Sequence, residues 1–161
     1  MRRPIDTAAG PALAFRRAGP ADVARVMEIE KDGFKHPWSR DLIERELGHA
    51  WSQILLACDL GSPGAERVLG YIVFWLVHDE IHVLNVATAL EARRRGVGRA
   101  LMAAAENAGR TRGARLSTLE VRRSNEAAIA LYRAIGYRQV GIRPNYYAEE
   151  NEDAIVMVKQ L

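Results

Sequence analysis

The 161-residue sequence holds one cysteine, four histidines and no apolar run longer than the seven residues Tyr71–Val77. Each shortage excludes something. A lone cysteine allows no internal disulfide and no cysteine-rich metal site, and it fits a reducing compartment. Cys58 sits in the apolar stretch from Ile54, where a thiol reads as a small buried hydrophobe rather than a nucleophile. Seven apolar residues fall far short of the ~20 that a membrane-spanning helix needs. The opening MRRPIDTAAGPA has basic residues with no apolar stretch behind them, so residues 1–12 read as a flexible tail and not a secretory signal. A cytoplasmic chain with no membrane contact is expected. The histidines show no His-Glu-x-x-His spacing, so no metal is expected. Gly-x-x-x-x-Gly-Lys-Ser/Thr is absent, and Gly-x-Gly-x-x-Gly fails where Leu101 stands in place of the third glycine.

What is present suits a single globular domain over residues 13–161, with 48% hydrophobic content and room for a core. The net charge of +3 favours an anionic partner without choosing among RNA, acidic protein and a phosphorylated small molecule.

Hydrophobic spacing predicts the order β α α β β β α β α β β. Leu13–Arg17 reads as a strand, and Pro20-Ala-Asp22 opens a helix carrying Val23, Val26 and Met27 at helical spacing. Ser39 reads as the N-cap of a second helix. Three antiparallel strands follow, at Gln53–Cys58, Val68–Val77 and Ile81–Ala87, the first two joined by a turn at Gly61–Gly64. A helix from Val97 ends before Gly113, a strand covers Arg115–Val121, and a helix runs from about Asn125 to Ile135. Strands at Arg138–Ile142 and Ala154–Lys159 close the chain. The fold class is therefore α/β (α+β), with a mainly antiparallel mixed sheet of about seven strands and about four covering helices.

Between a strand and the helix from Val97 lies Arg93-Arg-Arg-Gly-Val-Gly-Arg-Ala100. The first N–H groups of a helix have no intrahelical partner and the dipole is positive there, so the loop can cradle an anion. A solvated turn shaped by two glycines fits the same spacing.

Further residues carry a resemblance. Asn85-Val-Ala-Thr88, Arg93-Arg-Arg-Gly96-Val-Gly98, Leu119-Glu-Val-Arg122, Asn125, Ala130-Leu-Tyr132 and Gly136-Tyr137 together resemble the GNAT acyl-CoA-dependent N-acetyltransferases. Within that superfamily, His36-Pro-Trp-Ser39, Asn125-x-x-Ala128-Ile-Ala-Leu-Tyr132 and Arg143-x-Asn145-Tyr-Tyr147 are similar to the RimI group, which acetylates the N-terminal alanine of the small-subunit ribosomal protein numbered eighteen. The similarity runs from about Leu13 to the end. It implies acetyl-CoA as cosubstrate, with the pyrophosphate held by backbone N–H groups of Arg94, Arg95, Gly96, Val97, Gly98 and Arg99. It also implies pairing of the pantetheine arm with the strand edge at Val86, Ala87 and Thr88, and a further contact at Asn125. Many relatives carry Val-Asp-Pro where this chain reads Thr88-Ala89-Leu90, so a looser turn is expected there.

By the same resemblance Glu120 is the general base and Tyr132 the acid. Attack on a thioester needs a neutral amine, and an α-amino group has a pKa of ~7.7–8.0 against ~10.4 for lysine. Partial desolvation in the strand Leu119-Glu-Val121 would raise the Glu120 pKa and make it a better proton acceptor. Tyr132 is protonated at neutral pH and can donate to a departing thiolate. Trp38, Asn85, and Tyr146 with Tyr147 in the loop between the last strands are the substrate-side candidates; a plain turn and an aromatic cover for the sheet fit Trp38 and the tyrosines as well. Glu80 and His82 offer an alternative acid/base pair.

The acceptor implied is a ribosomal protein or other protein N-terminus; lysine side chains and small amines are the alternatives of the same chemistry. A different class, a basic RNA- or ribosome-binding module, rests on Arg93–Arg95, Arg110 with Arg112, and Arg122 with Arg123. The sequence lacks an aromatic RNA-binding strand motif, so direct nucleic-acid binding is not expected.

Overall fold

The computed structural model describes residues 12–61 and 65–161. Most of the expected tail and part of the Gly61–Gly64 turn therefore lie outside the described residues.

The strand β1 (Leu13–Arg17) leads through a short 3-10 turn at Pro20–Asp22 into α1 (Val23–Gly33). Ser39 caps α2 (Arg40–Gly48), its side chain accepting the Leu42 N–H at 3.2 Å. Then come β2 (Ser52–Asp59), β3 (Arg67–Val77) and β4 (Glu80–Thr88). The order continues with α3 (Val97–Thr111), β5 (Leu116–Arg122), α4 (Glu126–Ala134), β6 (Arg138–Tyr147) and β7 (Glu152–Gln160). This is the order that the hydrophobic spacing predicts, with seven strands and four helices.

The sheet order is β1-β2-β3-β4-β5-β7-β6, antiparallel throughout except for the parallel pair β4/β5. β2 and β3 are apolar on both faces because helices cover them. Tyr71, Ile72 and Phe74 of β3 and Leu56 of β2 are fully buried, and so are Leu101 and Met102 of α3 and Ile29 of α1. Cys58 is buried among them, as its apolar neighbours predict. Gly109 lets α3 approach the sheet closely, since a Cβ there would come within 2.7 Å of Ile81.

One irregularity positions everything that follows. β3 and β4 lose register where Val73 faces Asn85 and Phe74 faces Val83, which leaves Leu84 as an extra, bulged residue. A bulge bends its strand. β4 pairs with β5 only from Glu80↔Leu116 to Val83↔Leu119, and beyond that the strands part. The seam-facing backbone groups of Leu84–Thr88 have no partner on β5.

Candidate active site

Two adjoining cavities occupy the open seam. The first, of about 310 Å³, is lined by Trp38, Asn85, Glu120, Tyr132 and Tyr147, together with Glu30. The second, of about 510 Å³, runs along Val86–Thr88 to Arg93, Arg94 and the start of α3 at Gly96–Arg99. Thr88, Gly98, Ala128 and Leu131 line both. Asn125 lines the first and caps α4, its Oδ1 accepting the Ala128 N–H at 3.2 Å and leaving its Nδ2 for a ligand. Of the residues singled out in the sequence for cofactor or substrate, Arg95 and Tyr146 line neither cavity, and the alternative pair Glu80 and His82 lies outside both as well.

The start of α3 has the chemistry of an anion cradle. Gly96 stands at the N-cap in the left-handed region, φ 77°, and no side chain caps the helix. Ala100 is the first residue to bond back, to the Gly96 carbonyl at 3.0 Å, so the N–H groups of Val97, Gly98 and Arg99 are free of intrahelical partners. A Cβ on Gly98 would make only ordinary contact with Leu131 and Thr88, both at 3.8 Å, so the backbone there is not crowded. The turn that enters the cradle closes without the proline of many relatives. Ala89 is buried and donates its N–H to the Leu69 carbonyl at 2.7 Å, and Leu90–Ala92 forms a 3-10 turn.

At the other end, Glu120 does not behave as a desolvated carboxylate alone. The His82 ring holds it at 2.6 Å, with Nε2 to Oε2, and Arg143 lies 3.4 Å from its other oxygen. The expectation of a raised pKa is corrected: the hydrogen bond from His82 outweighs burial and lowers the Glu120 pKa, with the Arg143 charge acting in the same direction. An ionised carboxylate only accepts, so His82 is the donor in this pair. The pairing also replaces the suggested Glu80–His82 pair. The edge of the Trp75 ring packs against His82, and the Trp75 Nε1–H donates to the buried carboxylate of Glu46 at 2.8 Å.

Replacing His82 with alanine removes the strongest influence that lowers the Glu120 pKa and leaves burial acting upward. In the kcat/KM profile the inflection that lies below the ~7.7–8.0 of the α-amine then moves to higher pH, which a pH–rate series carried into the acid range reads directly. An unmoved inflection would detach His82 from the site.

Tyr132 is buried, with its ring 5.9 Å from that of Tyr137. Burial raises its pKa to about 12, so it stays protonated at neutral pH. Its hydroxyl donates to no protein group among the described residues. Tyr146 and Tyr147 belong to the end of β6, a correction to the loop expected there. Pro144 and Asn145 (φ 51°) read as loop, yet they only shift the β6/β7 register between Arg143 and Tyr147. Tyr147 lies under the Arg122 guanidinium at 3.9 Å, whereas half-exposed Tyr146 packs against Tyr147 from outside.

Two surface clusters are answered within the protein. Arg122 reaches Glu150 at 3.1 Å and Glu152 at 3.5 Å, and Arg123 reaches Asp153 at 3.3 Å, so this pair is not a free cationic patch for RNA. His36, Glu149 and Glu150 bring potential ligand atoms within 4.8 Å of one another, a grouping that histidine spacing in the sequence does not reveal. His36 is bonded to Glu150 at 2.8 Å, and Arg122 offsets the charge of that same carboxylate. Sequence reasoning also missed Glu30. The signal was there, because Glu30 falls on the buried stripe of α1 with Val23, Val26 and Ile29.

An uncapped helix start at one end of an open strand edge, with a carboxylate and a phenol at the other, is an arrangement that suits a two-substrate transferase. Comparison with known proteins narrows this class. The profile of the Acetyltransferase (GNAT) family matches residues 23–137. The [ribosomal protein bS18]-alanine N-acetyltransferase of Salmonella typhimurium is 35% identical over 138 residues, covering 84% of this chain and 89% of that protein. The crystal structure of the ribosomal-protein-S18-alanine N-acetyltransferase from Escherichia coli superposes with a TM-score of 0.81 at 29% identity, covering 92% of this chain and 93% of that one. Arabidopsis thaliana NAA60 in complex with acetyl-CoA shares the fold, with a TM-score of 0.80 at 19% identity over 93% of this chain and 99% of its own. The chain belongs to the GNAT family and is an N-acetyltransferase of the RimI-like kind.

Proposed function

We propose that this chain, acting as one domain in the cytoplasm, transfers acetyl from acetyl-CoA to a protein N-terminus, the N-terminal alanine of ribosomal protein bS18. Similarity to the Salmonella and Escherichia coli enzymes named for that reaction supports the acceptor. Among the described residues no helix is long and apolar enough to cross a membrane.

The observation that carries the reading is the open seam, with the uncapped start of α3 at one end and Glu120 and Tyr132 lining the same cavity at the other. The free N–H groups of Val97, Gly98 and Arg99 suit a pyrophosphate, and the unpaired edge at Val86–Thr88 suits an extended amide-bearing arm. Acetyl-CoA supplies an acetyl group activated as a thioester. The neutral amine attacks directly, forming the C–N bond as the C–S bond breaks. Glu120, directly or through water, takes the proton that the amine sheds. Tyr132 donates its hydroxyl proton toward the departing sulfur.

The depressed Glu120 pKa bears on the acceptor. A carboxylate held ionised by His82 is a weak base, adequate for an α-amine that titrates at ~7.7–8.0 but poorly matched to lysine at ~10.4. The test uses labelled acetyl-CoA and two peptides. One begins with the ribosomal protein's alanine; the other is the same peptide blocked at its N-terminus and carrying an internal lysine. Label on the free N-terminus alone is expected. Label on the lysine peptide would reassign the acceptor while keeping the chemistry.

A further inference from the structure

Glu30 is 1% exposed, and among the described residues no lysine or arginine lies within ion-pair reach of it. A buried carboxylate without a cation persists only where donors satisfy it. Here three donors do, and each comes from a different element. Oε1 accepts the backbone N–H of Trp38, in the segment between α1 and α2, at 2.9 Å. Oε2 accepts the Asn85 amide of β4 at 2.8 Å and the hydroxyl of Tyr71 on β3.

The consequence falls on Asn85, the residue just past the bulge. Its Nδ2 carries two hydrogens, and it donates both to Glu30 and to the Tyr71 oxygen, the latter at 3.1 Å. The amide is thereby oriented, with its carbonyl oxygen as the atom left for a ligand. Asn85 and Trp38 both line the cavity that holds Glu120 and Tyr132.

We propose that Glu30 is a positioning residue for the acceptor: its two carboxylate oxygens tie the Trp38 wall to the bulge of β4 and turn Asn85 so that its Oδ1 receives an N–H of the incoming chain. The ligand class is a peptide amine or backbone amide, a hydrogen-bond donor, and not a carboxylate or phosphate. Burial raises the Glu30 pKa, while the Trp38 and Asn85 donors favour the ionised form in which both oxygens accept. The inference rests on the N-terminal acceptor reading above.

Glu30→Gln keeps the shape but replaces one accepting oxygen with a donor, so that either Trp38 or Asn85 loses its partner. The expected result is a rise of roughly tenfold in KM for the alanine peptide, the scale of one well-made hydrogen bond, with KM for acetyl-CoA little changed and the melting temperature lowered only by the few degrees that one lost buried hydrogen bond costs. Asn85→Ala shows the same rise, and the double variant shows no more than either single one, as coupled groups require. A purely structural role would move the melting temperature and both KM values together. Unchanged peptide KM in Glu30→Gln, or effects that multiply in the double variant, would overturn the assignment while leaving the proposed function standing. If Glu30→Gln does not fold, Tyr71→Phe carries the test, because it frees one Asn85 hydrogen. It is expected to raise peptide KM in the wild-type background and not in Asn85→Ala; the same change in both backgrounds overturns the proposal. A wild-type chain that acetylates no free N-terminus removes the acceptor reading and this inference with it.

Discussion

Tyr132→Phe is expected to lower kcat by about a hundredfold or more, within the range of a lost general acid, and to leave the melting temperature nearly unchanged. The two halves of this result come from one observation. The Tyr132 hydroxyl donates to no protein group among the described residues, so removing it breaks nothing in the folded chain. The ring keeps its packing beside Tyr137. What is lost is a protonated donor at a buried position lining the cavity. A phenol raised to about 12 is a reluctant acid toward a thiolate whose pKa is near the ~8.5 of cysteine. Burial raises the thiolate as well and narrows that gap. In the proposed mechanism the phenol would therefore act chiefly by hydrogen-bonding the sulfur as negative charge develops, with proton transfer following departure. Single-turnover acetyl transfer measures the step, and wild-type rates in the phenylalanine variant would remove Tyr132 from the chemistry.

The second large effect is expected at Glu120. Glu120→Gln keeps the strand and its neighbours but removes the proton acceptor, and kcat falls about a hundredfold. The variant carries a second signature, in stability. The folded-state pKa of Glu120 lies below its unfolded value, chiefly because His82 donates to it. Its contribution is therefore complete above the unfolded pKa of ~4.3 and is lost as pH falls through the lower, folded value. Glutamine does not titrate, so melting temperatures of wild type and variant should converge as the solution is acidified through that window. A constant gap between the two melting curves at every pH, or unimpaired turnover, would count against the assigned role.

How much of this was legible in the sequence depends on how far each signal reaches along the chain. Ser39 and Asn125 announce helix starts because a cap acts within three residues, and both are caps in the structure. Gly96 and Gly98 mark the cradle for the same local reason. Glu120 and Tyr132 were identified through resemblance, but the state of Glu120 was not. His82 faces Thr118 across the β4/β5 ladder, and Glu120 is the next residue on the same face of β5. That neighbour is 38 positions away in sequence and appears only once the parallel register is set. The burial expected from Leu119 and Val121 is present, yet a partner invisible to local pattern outweighs it. Glu30 escaped for a related reason. Charge on a helix reads as surface, and only the packing of Tyr71, Asn85 and Trp38 around it explains why it is inside. Tyr146 and Tyr147 fall in a loop when the strand is read as ending at Ile142, whereas β6 runs on to Tyr147 across a register shift after Arg143.

The ladder between β4 and β5 is also a joint. Four residue pairs join a four-stranded block, β1 to β4, to a three-stranded block made of β5, β7 and β6. So short a spine joins the blocks by fewer ladder pairs than β3/β4 or β5/β7 supply on either side. Glu120 stands on one block and Asn85 on the other. In the proposed reaction a donor lying along the free edge and an acceptor held at Asn85 would therefore meet across a joint only four residue pairs long.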